Sequence, residues 1–199
     1  ALILAAGESS RMGTPKAALA LGGGRETVLG RVIWTLQTGG IADVSVVAGA
    51  HVEAVRSAIP AEGRVRVIEH PGWRNGQLSS LLAGLEAVDD QHVEALMVTL
   101  VDVPLVTPST VAAVAEQWRR TRAPIVRPAR GERHGHPVIF DRRVFADLRA
   151  ADVSVGAKAV FAIHRDQIVN VEVADPGAFE DIDTPEDYER LLDRGSRAE

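Results

Sequence analysis

The sequence predicts an α/β fold in which helices cover both faces of a mostly parallel sheet, as in a Rossmann-like three-layer sandwich. Short β-branched runs alternate with longer helical patterns along the 199 residues. The runs are apolar throughout and are bounded by turn residues, which is typical of parallel strands buried on both faces. A chain of this length fits one large domain, so we expect residues 1–199 to form a single unit.

Apolar runs predict the strands, and helical patterns lie between and after them. The predicted strands cover residues 1–5, 43–48, 65–68, 95–101, 124–127, 137–140 and 168–173. The predicted helices cover residues 27–37, 52–58, 78–88, 108–120, 142–148, 156–163 and 185–192. Thr107 and Thr184 each precede a proline, and a threonine N-cap followed by proline marks a helix start. The polar residues 193–199 are expected to form a frayed tail.

The composition excludes several classes of site and partner. The chain has no cysteine, which excludes disulfides, thiolate metal sites and cysteine nucleophiles. Its formal net charge of -5 gives no indication of the basic surface that typically binds nucleic acid. No apolar run approaches the ~20 residues of a membrane span, and residues 1–5 are too short for the apolar part of a signal peptide. We therefore expect a cytoplasmic protein that binds neither nucleic acid nor membranes.

A glycine-containing loop with two cations follows the first predicted strand. Gly7 and Gly13 bound the loop, Arg11 lies inside it, and Lys16 comes just after it. Backbone N–H groups of such a loop hold phosphate oxygens, and the two cations add charge, so the loop suits a triphosphate. The spacing matches neither the Walker A nor the dinucleotide-binding pattern. The alternative is an ordinary turn with surface cations, and the three glycines at 22–24 read as a separate flexible turn.

An aspartate follows the buried run at 95–101. Asp102 precedes Val103 and Pro104. A carboxylate just past a strand end suits Mg²⁺, which binds one or two carboxylates together with substrate phosphates. The alternative is an Asx-turn or a helix cap. The phosphate loop elsewhere in the chain favours the metal.

The motif Leu-Ala-Ala-Gly-x-Ser-x-Arg-Met-Gly-x-x-Lys at residues 4–16 resembles the signature of sugar-nucleotide-type nucleotidyltransferases. It is most similar to the molybdenum-cofactor branch, the MobA-like NTP transferases. The resemblance implies the nucleotide-diphospho-sugar transferase fold, with Asp102 as a ligand of the catalytic Mg²⁺. It also implies a set of nucleotide-binding residues in the first loop: Leu4, Ala5, Ala6, Gly7, Arg11, Gly13 and Lys16.

The C-terminal element Asp-Ile-Asp-Thr-Pro-Glu-Asp at 181–187 is also similar to one found in this family. Asp183 stands directly before the cap at Thr184. Two interpretations stay open for its carboxylate: a second Mg²⁺ ligand, or an acid that favours a helix N-terminus.

Two further loops extend the resemblance. Ser80 matches the serine that lies near the pyrimidine base in related cytidylyltransferases, and Gly76 would let the backbone approach closely. Capping of the following helix by Ser79 or Ser80 is the alternative. For Trp73, packing and a lid role both stay open.

The last loop, Gly135-His136-Pro137, resembles the Gly-His-Pro element of the molybdenum-cofactor cytidylyltransferases, which implies acceptor binding. The alternatives are solvated histidines and, more remotely, a zinc site at His134 and His136 that would lack a third ligand.

Together these matches imply an enzyme that transfers CMP from CTP to a phosphorylated acceptor, with Arg11, Lys16 and Asp102 as catalytic residues. Ala6 in place of a second glycine favours CTP over GTP, and the acceptor implied is molybdopterin. Three alternatives stay open: a GTP-dependent guanylyltransferase, a sugar- or polyol-phosphate cytidylyltransferase, and a non-catalytic nucleotide-binding maturation factor for a molybdenum hydroxylase.

Overall fold

A computed structural model of the chain describes residues 1–21, 26–61 and 65–195. The three glycines at 22–24 lie outside the described residues, and so does the end of the tail at 196–199. Within the described ranges, no helix has the length and apolar character needed to cross a bilayer.

The strands and helices follow the predicted order, with boundaries that differ by a few residues. The strands are β1 (Leu2–Ala5), β2 (Val44–Ala48), β3 (Val65–Glu69), β4 (Ala95–Leu100), β5 (Ile125–Arg130), β6 (Arg133–His134), β7 (Val138–Asp141) and β8 (Ile168–Glu172). The helices are α1 (Val28–Thr38), α2 (Val52–Ser57), α3 (Gln77–Val88), α4 (Pro108–Thr121), α5 (Phe145–Ala150), α6 (Lys158–Ile163) and α7 (Pro185–Gly195). The helix α7 therefore includes 193–195, the first residues of the segment expected to fray.

The predicted caps explain where two helices begin. The Thr107 side chain accepts a hydrogen bond from the Thr110 N–H, with Pro108 at the first helical position of α4. At the start of α7, Thr184 Oγ1 accepts from the Asp187 N–H at 3.3 Å. Each cap satisfies a backbone donor that lacks a partner inside its helix.

The strands form one mixed sheet in the order β3-β2-β1-β4-β7-β5, with β8 on the far side of β5. The pairs β1–β2, β2–β3, β1–β4 and β5–β8 are parallel, as the sequence predicts. The strand β7 is antiparallel to both β4 and β5. The two-residue strand β6, which was not predicted, is also antiparallel to β5. Residues 135–137 fill the interruption between β6 and β7.

Apolar side chains on the two faces of the sheet form two core clusters. Ile3 and Ala5 of β1 join a cluster with α1, α2 and α4, while Leu2 and Leu4 join a cluster with α3, α5 and α6. This alternation along a strand follows from the two-residue period of β structure. The three layers confirm the predicted fold class, and they leave the carboxyl ends of β1, β2 and β4 open at one edge.

Candidate active site

A cavity of about 630 Å³ opens at the carboxyl ends of β1 and β4. Ligands of open α/β sheets bind at this edge. Most of the predicted nucleotide, catalytic and metal residues line the cavity: Leu4, Ala5, Ala6, Gly7, Arg11, Lys16, Gly76, Ser80, Asp102 and Asp183. Gly13 does not line it. Instead, Gly13 turns the loop with φ of +66°, a conformation that a β-carbon would strain.

Hydrogen bonds centred on Ser9 fix the shape of the first loop. The Ser9 carbonyl accepts from the N–H groups of Met12 at 2.9 Å and Gly13 at 3.2 Å. Its hydroxyl oxygen accepts from the Lys16 N–H at 3.2 Å. Ser9 itself lies in the left-handed region, with φ of 53°. The loop therefore closes on itself and positions Lys16 at its end.

The Lys16 ammonium bridges two carboxylates that are far apart in the sequence. Its Nζ lies 3.2 Å from Asp102 Oδ2 and 2.6 Å from Asp183 Oδ1. Arg11 reaches Asp183 Oδ2 at 2.7 Å from a largely exposed position. The pKa of Asp183 is lowered from its ordinary value, chiefly because Lys16 donates a hydrogen bond to the carboxylate, and the charges of Lys16 and Arg11 add to the effect. Asp183 is therefore ionised at neutral pH.

The two carboxylates have the chemistry of a divalent-metal site. Asp102 Oδ1 is buried and has no hydrogen-bond partner among the described residues. This carboxylate oxygen is therefore available to a ligand. No group of three or more His, Asp and Glu side chains that could hold a metal occurs in the described part of the chain. A hard cation held here would therefore take its other ligands from phosphate oxygens and water, as Mg²⁺ commonly does.

The side chain of Asp187, rather than that of Asp183, accepts the hydrogen bonds at the start of α7. Asp187 Oδ2 accepts from the N–H groups of Asp183 and Thr184 and from the Thr184 hydroxyl, at 3.1, 2.8 and 2.9 Å. These bonds, chiefly those from Thr184, lower the pKa of Asp187 to about 2. The Ile182 N–H donates to the Asp102 carbonyl at 2.8 Å, which ties the segment before α7 to the loop after β4. The Asp183 carboxylate is thereby left to face Lys16.

The other side of the cavity is formed by the start of α3. This helix begins at Gln77 with Gly76 as its N-cap, and no side chain caps it. The capping alternative for Ser79 and Ser80 is therefore wrong. Ser79 Oγ instead donates to the Gly76 carbonyl at 2.7 Å and contacts His70 Nε2 at 3.0 Å. Ser80 is buried in the wall of the cavity.

Trp73 packs behind the first loop. A β-carbon added at Gly49 would lie 2.6 Å from both Trp73 Cβ and the Ala6 carbonyl oxygen, so these groups are in close contact with the backbone of Gly49. The guanidinium of Arg74 lies 4.3 Å from the centroid of the Trp73 ring. Trp73 is thus a packing residue that also lines the cavity.

A second cavity of about 520 Å³ adjoins the first and shares the lining residues Leu4, Gly76, Gln77 and Leu100 with it. Gly135 and His136 line this second cavity, whereas Pro137, which follows a cis peptide bond, does not.

Close packing explains why glycine stands at 135. A β-carbon there would lie 2.0 Å from the Ala178 carbonyl oxygen. His136 is half-buried, and this burial lowers its pKa. A hydrogen bond with the Val98 backbone and the charge of Asp102 raise the pKa, but burial has the larger effect. The imidazole of His136 is therefore neutral at pH 7, and its buried Nδ1 has no partner among the described residues.

Comparison with known families decides what kind of protein has this site. Residues 1–169 match the family model of the MobA-like NTP transferase domain. The chain belongs to the MobA-like NTP transferases. It is accordingly a nucleotidyltransferase, as its sequence resemblance implied. A search of curated proteins returns no match.

Solved structures support the same fold for this MobA-like NTP transferase. A homologue of Mycobacterium tuberculosis Rv0371c from Mycobacterium sp. strain JC1 is 31% identical, with 100% of this chain and 96% of that chain covered and a TM-score of 0.81. Rv0371c of M. tuberculosis in complex with manganese is 28% identical over 96% of each chain, with a TM-score of 0.74. A nucleotidyl transferase from Methanothermobacter, at 23% identity, covers 100% of this chain and 97% of its own, with a TM-score of 0.83.

Two histidines that carry no sequence motif help to position the site of this MobA-like transferase. His51 Nε2 lies 2.9 Å from the Glu8 carbonyl in the first loop. His70 holds Ser79 beside the start of α3, as described above. The sequence does not single out either residue, because a single histidine without a local pattern does not indicate its distant partner.

Proposed function

We propose that this enzyme is a Mg²⁺-dependent cytidylyltransferase that joins CMP from CTP to the phosphate of a molybdopterin acceptor. The observation that carries the proposal is the Lys16 ammonium between Asp102 and Asp183, at the end of a glycine-containing loop. In such a reaction an acceptor phosphate oxygen attacks the α-phosphorus of CTP. The bond from that phosphorus to the oxygen bridging the β-phosphorus breaks, and pyrophosphate leaves.

Positioning and charge neutralisation account for the catalysis in this proposal. Lys16 and Arg11 would stabilise the negative charge that develops on the α-phosphate and the leaving pyrophosphate. Asp102 and Asp183 would hold Mg²⁺, which supplies further charge neutralisation and orients the triphosphate. The acceptor phosphate is already an anion at neutral pH, so no general base is needed to activate it.

The choice of CTP rests on the floor of the cavity. Ala6 is buried there, and its carbonyl packs against Gly49. The β-carbon of Ala6, where a second glycine would have none, leaves less room for the base. It therefore favours a pyrimidine over the larger purine. Gly76 and Ser80 form the opposite wall at the start of α3.

The choice of acceptor rests on the second cavity. It adjoins the nucleotide cavity and is lined by Gly135 and His136, the residues of the Gly-His-Pro element. In this proposal the product would pass to a molybdenum hydroxylase in the cytoplasm. The competing assignments are a GTP-dependent guanylyltransferase and a sugar- or polyol-phosphate cytidylyltransferase. A non-catalytic maturation factor is disfavoured by the assembled cluster of Lys16, Asp102 and Asp183.

Pyrophosphate release with each NTP, Mg²⁺ and candidate acceptors tests the proposal. Asp102→Ala and Lys16→Ala should each lower turnover by about 10²–10³-fold or more. Glu53→Ala, which removes a 90% exposed carboxylate on α2, is the matched control and should turn over like the wild type. Wild-type turnover by Asp102→Ala with the true acceptor would refute the assignment of this residue.

A thermal-shift comparison of CTP with GTP, each with Mg²⁺, tests the nucleotide. Because a ligand that binds the folded state raises apparent stability, the preferred nucleotide gives the larger shift. A larger shift with GTP would favour the guanylyltransferase. Binding of an NTP without pyrophosphate release for any acceptor would favour the maturation factor.

A further inference from the structure

The charged and titratable side chains that line the second cavity are all basic. They are Arg127 of β5, His134 of β6, His136 and Lys158 of α6, and no Asp or Glu lines the cavity among the described residues. The first cavity, in contrast, combines Arg11 and Lys16 with Asp102 and Asp183. The second cavity therefore suits a ligand that brings its own negative charge.

Arg127 is a half-buried cation without a counter-ion. Its Nε donates to the neutral side-chain oxygen of Asn170 at 3.0 Å, and no described carboxylate forms an ion pair with it. Burial accordingly lowers the pKa of Arg127, although a guanidinium stays charged at neutral pH. Removing a charge from water without a partner is unfavourable, so an anionic ligand group would restore the missing charge balance.

His134 is the neutral neighbour of this cation. Partial desolvation and the charge of Arg127 both lower the pKa of His134, which keeps the imidazole uncharged at pH 7. Lys158, at the start of α6, lines the same cavity. The positive charge of the cavity at neutral pH therefore comes from Arg127 and Lys158.

Apart from Gln77, Ser154 and the two histidines, apolar residues and glycines form the rest of the lining of the second cavity. Phe140 and Phe161 meet edge to face, with ring centroids 5.7 Å apart, and the Arg127 guanidinium lies 5.3 Å from the centre of the Phe161 ring. Val153 and Val155, on the loop before α6, also line the cavity, and their side chains are 37% and 54% exposed. Such walls suit a flat or apolar body and offer few partners to a hydroxyl-rich one.

Arg127 lies too far from the reaction centre to hold the attacking phosphate. The strand β7 separates β4, which leads to Asp102, from β5, which carries Arg127. Two strand spacings correspond to roughly 10 Å. The bond from Arg127 to Asn170 on β8 also draws its side chain toward the edge of β5 that faces away from β4.

We propose that Arg127 and Lys158 bind a second anionic group of the acceptor, about two strand spacings from its reactive phosphate. The acceptor is then an elongated organic phosphate with an apolar or flat body and an anionic far end. This inference rests on the proposed function, which places the reactive phosphate beside Lys16. It favours such an acceptor over compact sugar and polyol phosphates.

Two probes of matched length test the inference: hexane-1,6-diol bisphosphate and hexyl monophosphate. Their affinities are measured by calorimetry with Mg²⁺, with and without the unreactive analogue α,β-methylene-CTP. The wild type should bind the bisphosphate about tenfold more tightly than the monophosphate, because a charge-assisted hydrogen bond adds to binding. Arg127→Gln should abolish this preference, and Lys158→Gln should reduce it.

Arg130→Gln is the matched control, since Arg130 is an exposed arginine on the same strand that does not line the cavity. It should keep the wild-type preference. Equal binding of both probes by the wild type, or a preference that survives in Arg127→Gln, would overturn the inference. Failure of the CTP analogue to bind would count against the proposed function instead, while the ratio of the two probes without nucleotide still decides the role of Arg127.

Discussion

Replacing Lys16 with methionine removes the ammonium group that bridges Asp102 and Asp183 but keeps an unbranched side chain of similar length. The ammonium lies 3.2 and 2.6 Å from the two carboxylates, and the three side chains are only 11%, 23% and 32% exposed. At an effective dielectric constant of about 20, the contacts with Asp102 and Asp183 have gross Coulomb energies of about 5 and about 6 kcal/mol. Solvent screening and the cost of desolvating Lys16 offset most of this energy, which leaves a net loss of about 1–3 kcal/mol.

Such a loss should lower the Tm of a domain of this size by roughly 3–9 °C in a metal chelator at pH 7. Mn²⁺ or Mg²⁺ should then raise the Tm of Lys16→Met more than that of the wild type. The physical reason is that a divalent cation must displace the ammonium group in the wild type, whereas in the variant both carboxylates lack a counter-charge.

Thermal unfolding in chelator and across a series of Mn²⁺ concentrations provides the measurement. Lys158→Met serves as the control, because it removes a lysine that contacts neither carboxylate. If Lys16→Met matched the wild type both in chelator and in its response to Mn²⁺, competition between Lys16 and a metal for the two carboxylates would be refuted.

Two further predictions concern residues that support the site. Gly49→Ala inserts a β-carbon 2.6 Å from the Ala6 carbonyl oxygen and from Trp73 Cβ. We therefore expect a loss of about 1–3 kcal/mol in unfolding free energy, measured by denaturant unfolding, and weaker CTP binding, measured by calorimetry. Unchanged values of both would contradict the packing argument. Asp187 has a folded-state pKa of about 2, below the ordinary 3.8, so its stabilising effect is complete above the ordinary value and is lost as pH falls through about 2. The Tm difference between wild type and Asp187→Asn should therefore shrink between pH 5 and pH 2, and a constant difference would rule out this role.

The parallel part of the fold was predictable because its strands are short apolar runs that end in turn residues. The direction of β7 was not, since an apolar run such as Val138–Asp141 has the same pattern in either orientation. The strand β6 consists of only Arg133 and His134, both exposed, and has no apolar period at all. Its pairing with β5 depends on contacts that a local pattern does not encode.

Residues of the candidate site that lie together in one sequence motif could be predicted, whereas contacts that only folding brings together could not. The first loop indicated phosphate binding through residues that are close in sequence. The bridge from Lys16 to Asp183 joins residues 167 apart, and no periodicity predicts that contact. Arg127 was missed because an arginine inside a strand reads as an ordinary solvent-facing residue until its burial and lack of an ion pair are known.

The pairing of the first loop with the segment before α7 has a consequence for synthesis of the chain. Arg11 and Asp183 are 172 residues apart, so a ribosome must translate the whole intervening segment before both partners exist. Until then the emerging polypeptide has Lys16 and Asp102 but only one of the two carboxylates. The proposed metal site is therefore complete only after the segment that contains Asp183 has left the ribosome, and a translation product that ends before Asp183 would lack this second carboxylate.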